Sequence, residues 1–220
     1  MRDDLEFQST KTYTHSIGLS CCFRQWRAES HCRFLHGYAL QVKLTFTSPS
    51  LDENNWVIDF GGLKPIKAWL ENTFDHKLLV ARDDPMKDQL IALAHPTAVH
   101  TYEEAEEKRI ADVQVVKDVG CEAFSLMIYE HVEEWLRRYC EDHYLPNAYL
   151  ESVEVREHES NSAICRRKSV VHVSKEPHFH LQPNHVVERI GDLFVIRDKD
   201  MDIPPKAYEG FYKAAKDFKK

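Results

Sequence analysis

The sequence predicts an α+β fold in which helices cover one face of an antiparallel sheet, and three features carry that prediction. Residues 38–47, YALQVKLTFT, alternate apolar and polar positions as a half-buried strand does. Two stretches, 61–74 and 122–139, repeat their apolar residues at the helical period. These helices follow one another instead of alternating with every strand, which favours segregated layers over a parallel βαβ sheet.

Element by element, a first strand is expected from about Leu5 to His15, with Phe7, Tyr13 and His15 on one face. Ser16 to Leu35 is polar and irregular, carries Arg24, Arg27 and Arg33, and reads as a long connection. In the strand at 38–47, Tyr38, Leu40, Val42, Leu44 and Phe46 share the inward side. A short strand is expected at Trp56–Phe60. The helix after it places apolar residues at 63, 66, 69, 70 and 74, with Pro65 tolerated in the first turn. Residues 81–118 contain the charged run EEAEEKR and read as a solvated insertion. The second helix, about Glu122 to Tyr139, carries a core stripe of Phe124, Met127, Ile128, Val132, Trp135 and Leu136. The segment YLESVEVREH gives a last core strand with Val153, Val155 and Glu157 on a common face. One main domain is expected over residues 1–168, followed by a polar, proline-punctuated extension at 169–220.

Composition narrows the function. Hydrophobic residues at 43% and charged residues at 30% are a globular mix. A formal net charge of −7 argues against general nucleic-acid binding, which needs clustered cations. The start MRDDLEFQST does not read as an export signal, and no stretch approaches the roughly 20 apolar residues that span a bilayer, so a cytoplasmic protein without membrane contact is expected. Six cysteines without a CxxC pair are expected as reduced thiols.

Thirteen histidines direct attention to metal or proton chemistry. Extending the 38–47 alternation backwards puts His36 inward with Tyr38 and Leu40, and an inward imidazole needs a polar partner. That partner is either a metal ion, with His15 as a second ligand, or a backbone carbonyl. Asp75-His76 closes the first helix as an acid beside an imidazole, which a simple helix-end ion pair would also explain. Glu157 aims a carboxylate at an apolar layer. It either awaits the N–H groups of a ligand or marks the solvated end of its strand.

The fragments HCRFLHGY, WVIDFGGLK, FDHKLL and VEVREHESNSAI stand in the order of the C-x-x-x-H-G-H, I-I-D-F-x-x-L-K, L-D-H-x-x-L and V-x-V-x-E-T elements of one family. Through them the chain resembles the 6-pyruvoyl-tetrahydropterin synthase / 6-carboxy-tetrahydropterin synthase family over most of residues 5–168. The resemblance implies the tunnelling fold (T-fold), a four-stranded antiparallel sheet with two helices on one face. It also implies a homo-oligomer, hexameric by family, with sites between subunits. By position it implies Cys32 as the catalytic proton acceptor, Asp75 and His76 as the acid and histidine acting with it, and Glu157 as the carboxylate that receives the pterin ring. It implies a zinc ion (Zn2+) held by His15 and His36. The family's third ligand falls on Tyr38, a poor zinc donor when neutral, and His31 is the preferred replacement.

The implied substrate is 7,8-dihydroneopterin triphosphate. The spacing from Cys32 to His36-Gly37 is similar to that of the 6-carboxy type, which releases acetaldehyde on the route to 7-deazaguanine (queuosine-type) nucleosides. The alternatives are 6-pyruvoyl-tetrahydropterin formation and a non-catalytic pterin-binding oligomer. Arg24, Arg27 and Arg33 are candidates for the counter-charge of the triphosphate.

Overall fold

The computed structural model describes residues 5–94, 102–143, 148–168, 172–174, 185–190 and 193–198. Residues 7–166 form one compact unit, and the strands after Arg167 belong to another. In chain order the larger unit holds strands β1 (Phe7–Tyr13), β2 (Leu19–Phe23) and β3 (His36–Ser48), helix α1 (Lys64–Phe74) and strand β4 (Lys77–Ala81). Helices α2 (Lys87–Ile91) and α3 (Tyr102–Lys108), strand β5 (Asp112–Val116), helix α4 (Cys121–His143) and strands β6 (Tyr149–His158) and β7 (Asn161–Arg166) complete it. The other unit contains β8 (His172–Ser174), β9 (His185–Ile190) and β10 (Leu193–Asp198), an antiparallel sheet with β10 in the middle.

The expected antiparallel sheet is present as β1, β3, β6 and β7 in that spatial order. The long strand β3 organises it. Its C-terminal part pairs with β1, from Tyr13 opposite Val42 to Phe7 opposite Ser48. Its N-terminal part pairs along the same edge with β2, from Leu19 opposite Leu40 to Phe23 opposite His36. Residues 14–18 therefore bulge out opposite Gln41. A 3-10 turn at His15–Ile17 absorbs them, closed by Gly18 at φ 79°, a conformation glycine adopts without a Cβ clash.

Three expectations need correction. Ser16–Leu35 is not wholly irregular, because Leu19, Cys21 and Phe23 alternate inward as β2, a period-2 signal confined to five residues. Trp56–Phe60 is no strand: Asp52 accepts the N–H groups of Asn54 and Trp56, Asp59 accepts that of Gly61, and these local bonds hold turns instead. The 81–118 insertion is not merely solvated. Its neighbour β4 pairs parallel with β2, and β5 within it pairs parallel with β4, which enlarges the sheet to seven strands. The charged run falls in α3.

One face of the sheet carries α1 and α4. Ile66, Leu70 and Phe74 of α1 and Phe124, Ile128, Val132 and Leu136 of α4 pack against Leu40, Val42, Leu44, Val153 and Val155 in a single buried cluster. The Phe124 ring stands edge-on to Phe23 at 5.1 Å and to Phe74 at 5.4 Å, linking the sheet to both helices. No helix among the described residues is long and apolar enough to cross a membrane.

Candidate active site

The inward face of β3 leaves the core at its N-terminal end, and chemistry replaces packing there. Leu40 is buried, whereas Tyr38 and His36, two and four residues earlier on the same face, are half-buried. Their rings lie 5.5 Å apart, and Phe23 of β2 supports His36 at 5.0 Å and Tyr38 at 6.2 Å. On the neighbouring strand β6, buried Val153 and Val155 are followed on the same face by Glu157. The β6–β7 register shifts between Arg156 and His158, so the strand becomes irregular where Glu157 sits.

The helix layer comes close to Glu157. Cys121, the first residue of α4, lies beside its carboxylate. Gly120 at φ 110° makes the turn that presents Cys121, and a Cβ there would meet Gln25 Nε2 at 2.5 Å. The start of a helix also favours a carboxylate electrostatically. Burial, and then the charge and hydrogen bond of Glu157, push the Cys121 thiol well above its ordinary value. Burial pushes Cys21 up to about 12, with Cys22 and Glu157 adding to the effect. Tyr38 is raised by burial first and then by Glu157, Cys32 and Cys121. Glu157 thus lies beside thiols and a phenol that stay neutral, so none of them sets a second negative charge next to it.

Cys32 lies near enough to Tyr38 to add to its raised ionisation, after burial and Glu157. It occupies a 3-10 turn at His31–Arg33, where its N–H donates to Ser30 Oγ at 3.3 Å and its carbonyl accepts from Gln25 N at 2.9 Å. Its thiol makes no hydrogen bond among the described residues.

Asp75 and His76 lie at the end of α1. Asp75 caps α1, its N–H bonding Glu71 O at 2.9 Å. His76 takes the left-handed φ of 56°, donates its N–H to Ser20 O at 2.6 Å, and directs Nδ1–H to Asp75 Oδ1 at 2.7 Å. The carboxylate thus fixes the imidazole tautomer, and the His76 side chain is 87% exposed, leaving Nε2 available. Tyr38, Cys21 and Lys77 are register partners across β3, β2 and β4, so His76 lies about 10 Å from Tyr38 across two strand spacings. An open cleft of about 530 Å³ is lined by both Tyr38 and His76. Among the described residues no hydrogen bond joins Cys32 to the Asp75–His76 pair.

The candidate zinc ligands divide. His15 Nδ1 bonds Ala39 O, and His36 Nδ1 bonds Phe34 O at 2.7 Å. A backbone carbonyl on Nδ1 is the support that metal-binding imidazoles commonly have, and it leaves Nε2 as the donor. These two residues fit a zinc ion by that test. Tyr38 lies beside His36, but its raised ionisation opposes the phenolate that zinc would need. His31 lies exposed on the turn, and among the described residues no three His, Cys, Asp or Glu side chains group as a metal-ligand set.

The arginines expected to meet phosphate are engaged elsewhere. Arg24 pairs with Asp84, Arg27 with Asp83 and Asp118, and Arg33 stacks over the Phe34 ring. Sequence reading overlooked Cys121, whose available signal was the Gly120-Cys121 pair directly before a strong helical stripe.

Comparison with known proteins supplies the remaining findings. The family model described as 6-pyruvoyl tetrahydropterin synthase matches residues 12–168. The 6-carboxy-5,6,7,8-tetrahydropterin synthase of Rickettsia felis is 34% identical over 64 residues, covering 29% of this chain and 46% of the relative. That of Rickettsia typhi is 37% identical over 57 residues, covering 26% and 41%. The chain thus spans less than half the length of these curated relatives in the matched segments. An uncharacterized protein from Wolinella succinogenes superposes with a TM-score of 0.60 at 20% identity, over 75% of this chain and 100% of that one. The 6-pyruvoyl tetrahydropterin synthase of Plasmodium falciparum gives 0.50 at 14% identity, over 74% and 98%. These structures share the fold.

Proposed function

Because the chain belongs to the 6-pyruvoyl tetrahydropterin synthase family, we propose that it is a lyase acting on 7,8-dihydroneopterin triphosphate to form a 6-carboxytetrahydropterin, on the route to 7-deazaguanine nucleosides. The observation that supports this reading best is Glu157, a carboxylate on the face of β6 that carries buried Val153 and Val155, near enough to Cys121 and Tyr38 to raise both. A pterin presents a ring N–H and an exocyclic amine side by side, and a carboxylate offers two oxygens at matching spacing. Glu157 therefore orients the ring, and neighbouring Cys32 accepts a proton from the substrate side chain, a task that requires its thiolate. Asp75 holds the His76 imidazole so that Nε2 exchanges protons at the exposed side of the cleft.

His15 and His36 are the side chains that would hold a zinc ion, and bound zinc would polarise an oxygen of the substrate side chain. For a third donor, neutral Tyr38 beside His36 is a poor ligand, which leaves His31 on the turn that carries Cys32. The edges of β1 and β7 end the antiparallel sheet, and pairing there with further copies would build the homo-oligomer of the family resemblance. The six unpaired cysteines agree with a cytoplasmic setting.

The test is incubation of the purified protein with 7,8-dihydroneopterin triphosphate. Acetaldehyde release by the natural protein, lost in Cys32→Ala while pterin binding persists, is the expected result. Triphosphate release without acetaldehyde would instead select 6-pyruvoyl formation. Full activity of Cys32→Ala would remove the proposed base, and binding without either product would make the protein a pterin binder.

A further inference from the structure

Strands β2, β4 and β5 run parallel, so they end at the same side of the sheet. The residues that follow them, 24–27, 82–84 and 117–118, are therefore brought together, and the Arg27–Asp118 bond spans 91 residues of sequence. Two arginines and a tryptophan on the first turn meet three aspartates on the other two. Arg24 Nε donates to Asp84 Oδ2 at 2.9 Å, and Asp84 is almost wholly buried, its other oxygen accepting Met86 N at 2.8 Å. Trp26 Nε1 donates to Asp83 Oδ1 at 3.3 Å. Arg27 bonds both Asp83 and Asp118, and its guanidinium stacks over the Trp26 ring at 4.5 Å.

The clamped turn leads directly to Cys32. Gln25, between the clamped residues Arg24 and Trp26, donates its N–H to the Cys32 carbonyl at 2.9 Å and accepts at its own carbonyl the N–H of Ala28 at 2.8 Å. The side chain of Gln25 also abuts Gly120, the residue before Cys121. We propose that Asp83 and Asp84 are positioning residues for Cys32, so that the β4–β5 segment serves to fix the loop that carries the proton acceptor. This rests on the role of Cys32 proposed above. Two rigid turns at the ends of paired strands hold the loop through charged hydrogen bonds, the stronger kind, and the loop transmits that restraint through the Gln25–Cys32 bond.

The test compares Asp83→Ala, Asp83→Glu, Asp84→Asn and Cys32→Ala, reading turnover, pterin affinity and the rate at which iodoacetamide alkylates Cys32, followed by mass spectrometry. Asp83→Ala and Asp84→Asn are expected to lower turnover by up to about 100-fold, the scale an ångström of misplacement produces. Pterin affinity should hold, because Glu157 and Tyr38 lie on strands, while Cys32 alkylation should quicken several-fold. Asp83→Glu, which keeps the charge, should restore turnover. Asp83 is exposed, so its variants carry the test even where a change at buried Asp84 prevents folding. A lower melting temperature with unmoved alkylation and turnover would reduce the clamp to a structural role and overturn the proposal. An inactive Cys32→Ala beside fully normal Asp83→Ala would also overturn it. A fully active Cys32→Ala would instead strike at the underlying reading.

Discussion

Glu157 owes its chemistry to its neighbours. A carboxylate at the end of a strand is ordinarily solvated, yet here the Cys121 thiol lies beside it, and Tyr38 and Cys21 stay neutral around it. The two histidines behave differently, because each uses Nδ1 on a carbonyl and keeps Nε2 for a ligand. A freshly purified sample is therefore expected to hold about one zinc per chain, and His36→Ala to lose it, as elemental analysis would show. A metal-free natural protein that binds pterin normally would contradict this. The inward orientation of His36 and Glu157 was legible from the alternation of β3 and β6. Their partners were not: Cys121 stands 36 positions before Glu157 in the chain, and hydrogen bonds across that separation leave no periodic trace.

Elements with a clean period read correctly. Strand β3 spans thirteen residues and alternates cleanly from Leu40 to Phe46, and α4 repeats Phe124, Ile128, Val132 and Leu136 at four-residue steps. Strand β2 spans five residues and gives a period too short to separate from a loop. Strand β4 escaped for another reason. Parallel strands covered on both sides show continuous apolar runs, and Leu78, Leu79, Val80 and Ala81 of β4 are all buried. The opposite error arose at Trp56–Phe60, where an apolar run resembled a strand but Asp52 and Asp59 captured the backbone N–H groups locally. Helix α4 owes much of its anchorage to Phe124, which touches both β2 and α1. Phe124→Ala is expected to destabilise the protein by about 3–5 kcal/mol, read as a lower urea midpoint. A loss below about 1 kcal/mol would mean that the ring is not the keystone its contacts indicate.

At the scale of the molecule, layer order follows from grouping two apolar-striped helices on one face of an antiparallel sheet, and the sequence pattern carried that much. What it could not carry is the enlargement of the sheet from four strands to seven, because parallel pairing between β2, β4 and β5 joins residues remote in the chain. That enlargement brings three turns to one end of the sheet and reassigns Arg24 and Arg27 from phosphate to aspartates. The same topology puts His76 and Tyr38 on one cleft although the Asp75–His76 pair comes from the helix layer. Calorimetric binding of a reduced pterin to the natural protein and to Glu157→Gln tests the whole arrangement most directly. A loss of ~2 to 5 kcal/mol, about 30-fold or more in affinity, is expected with the fold unchanged. Equal affinity of the two proteins would show that Glu157 does not receive the ring, and the site described around it would fall.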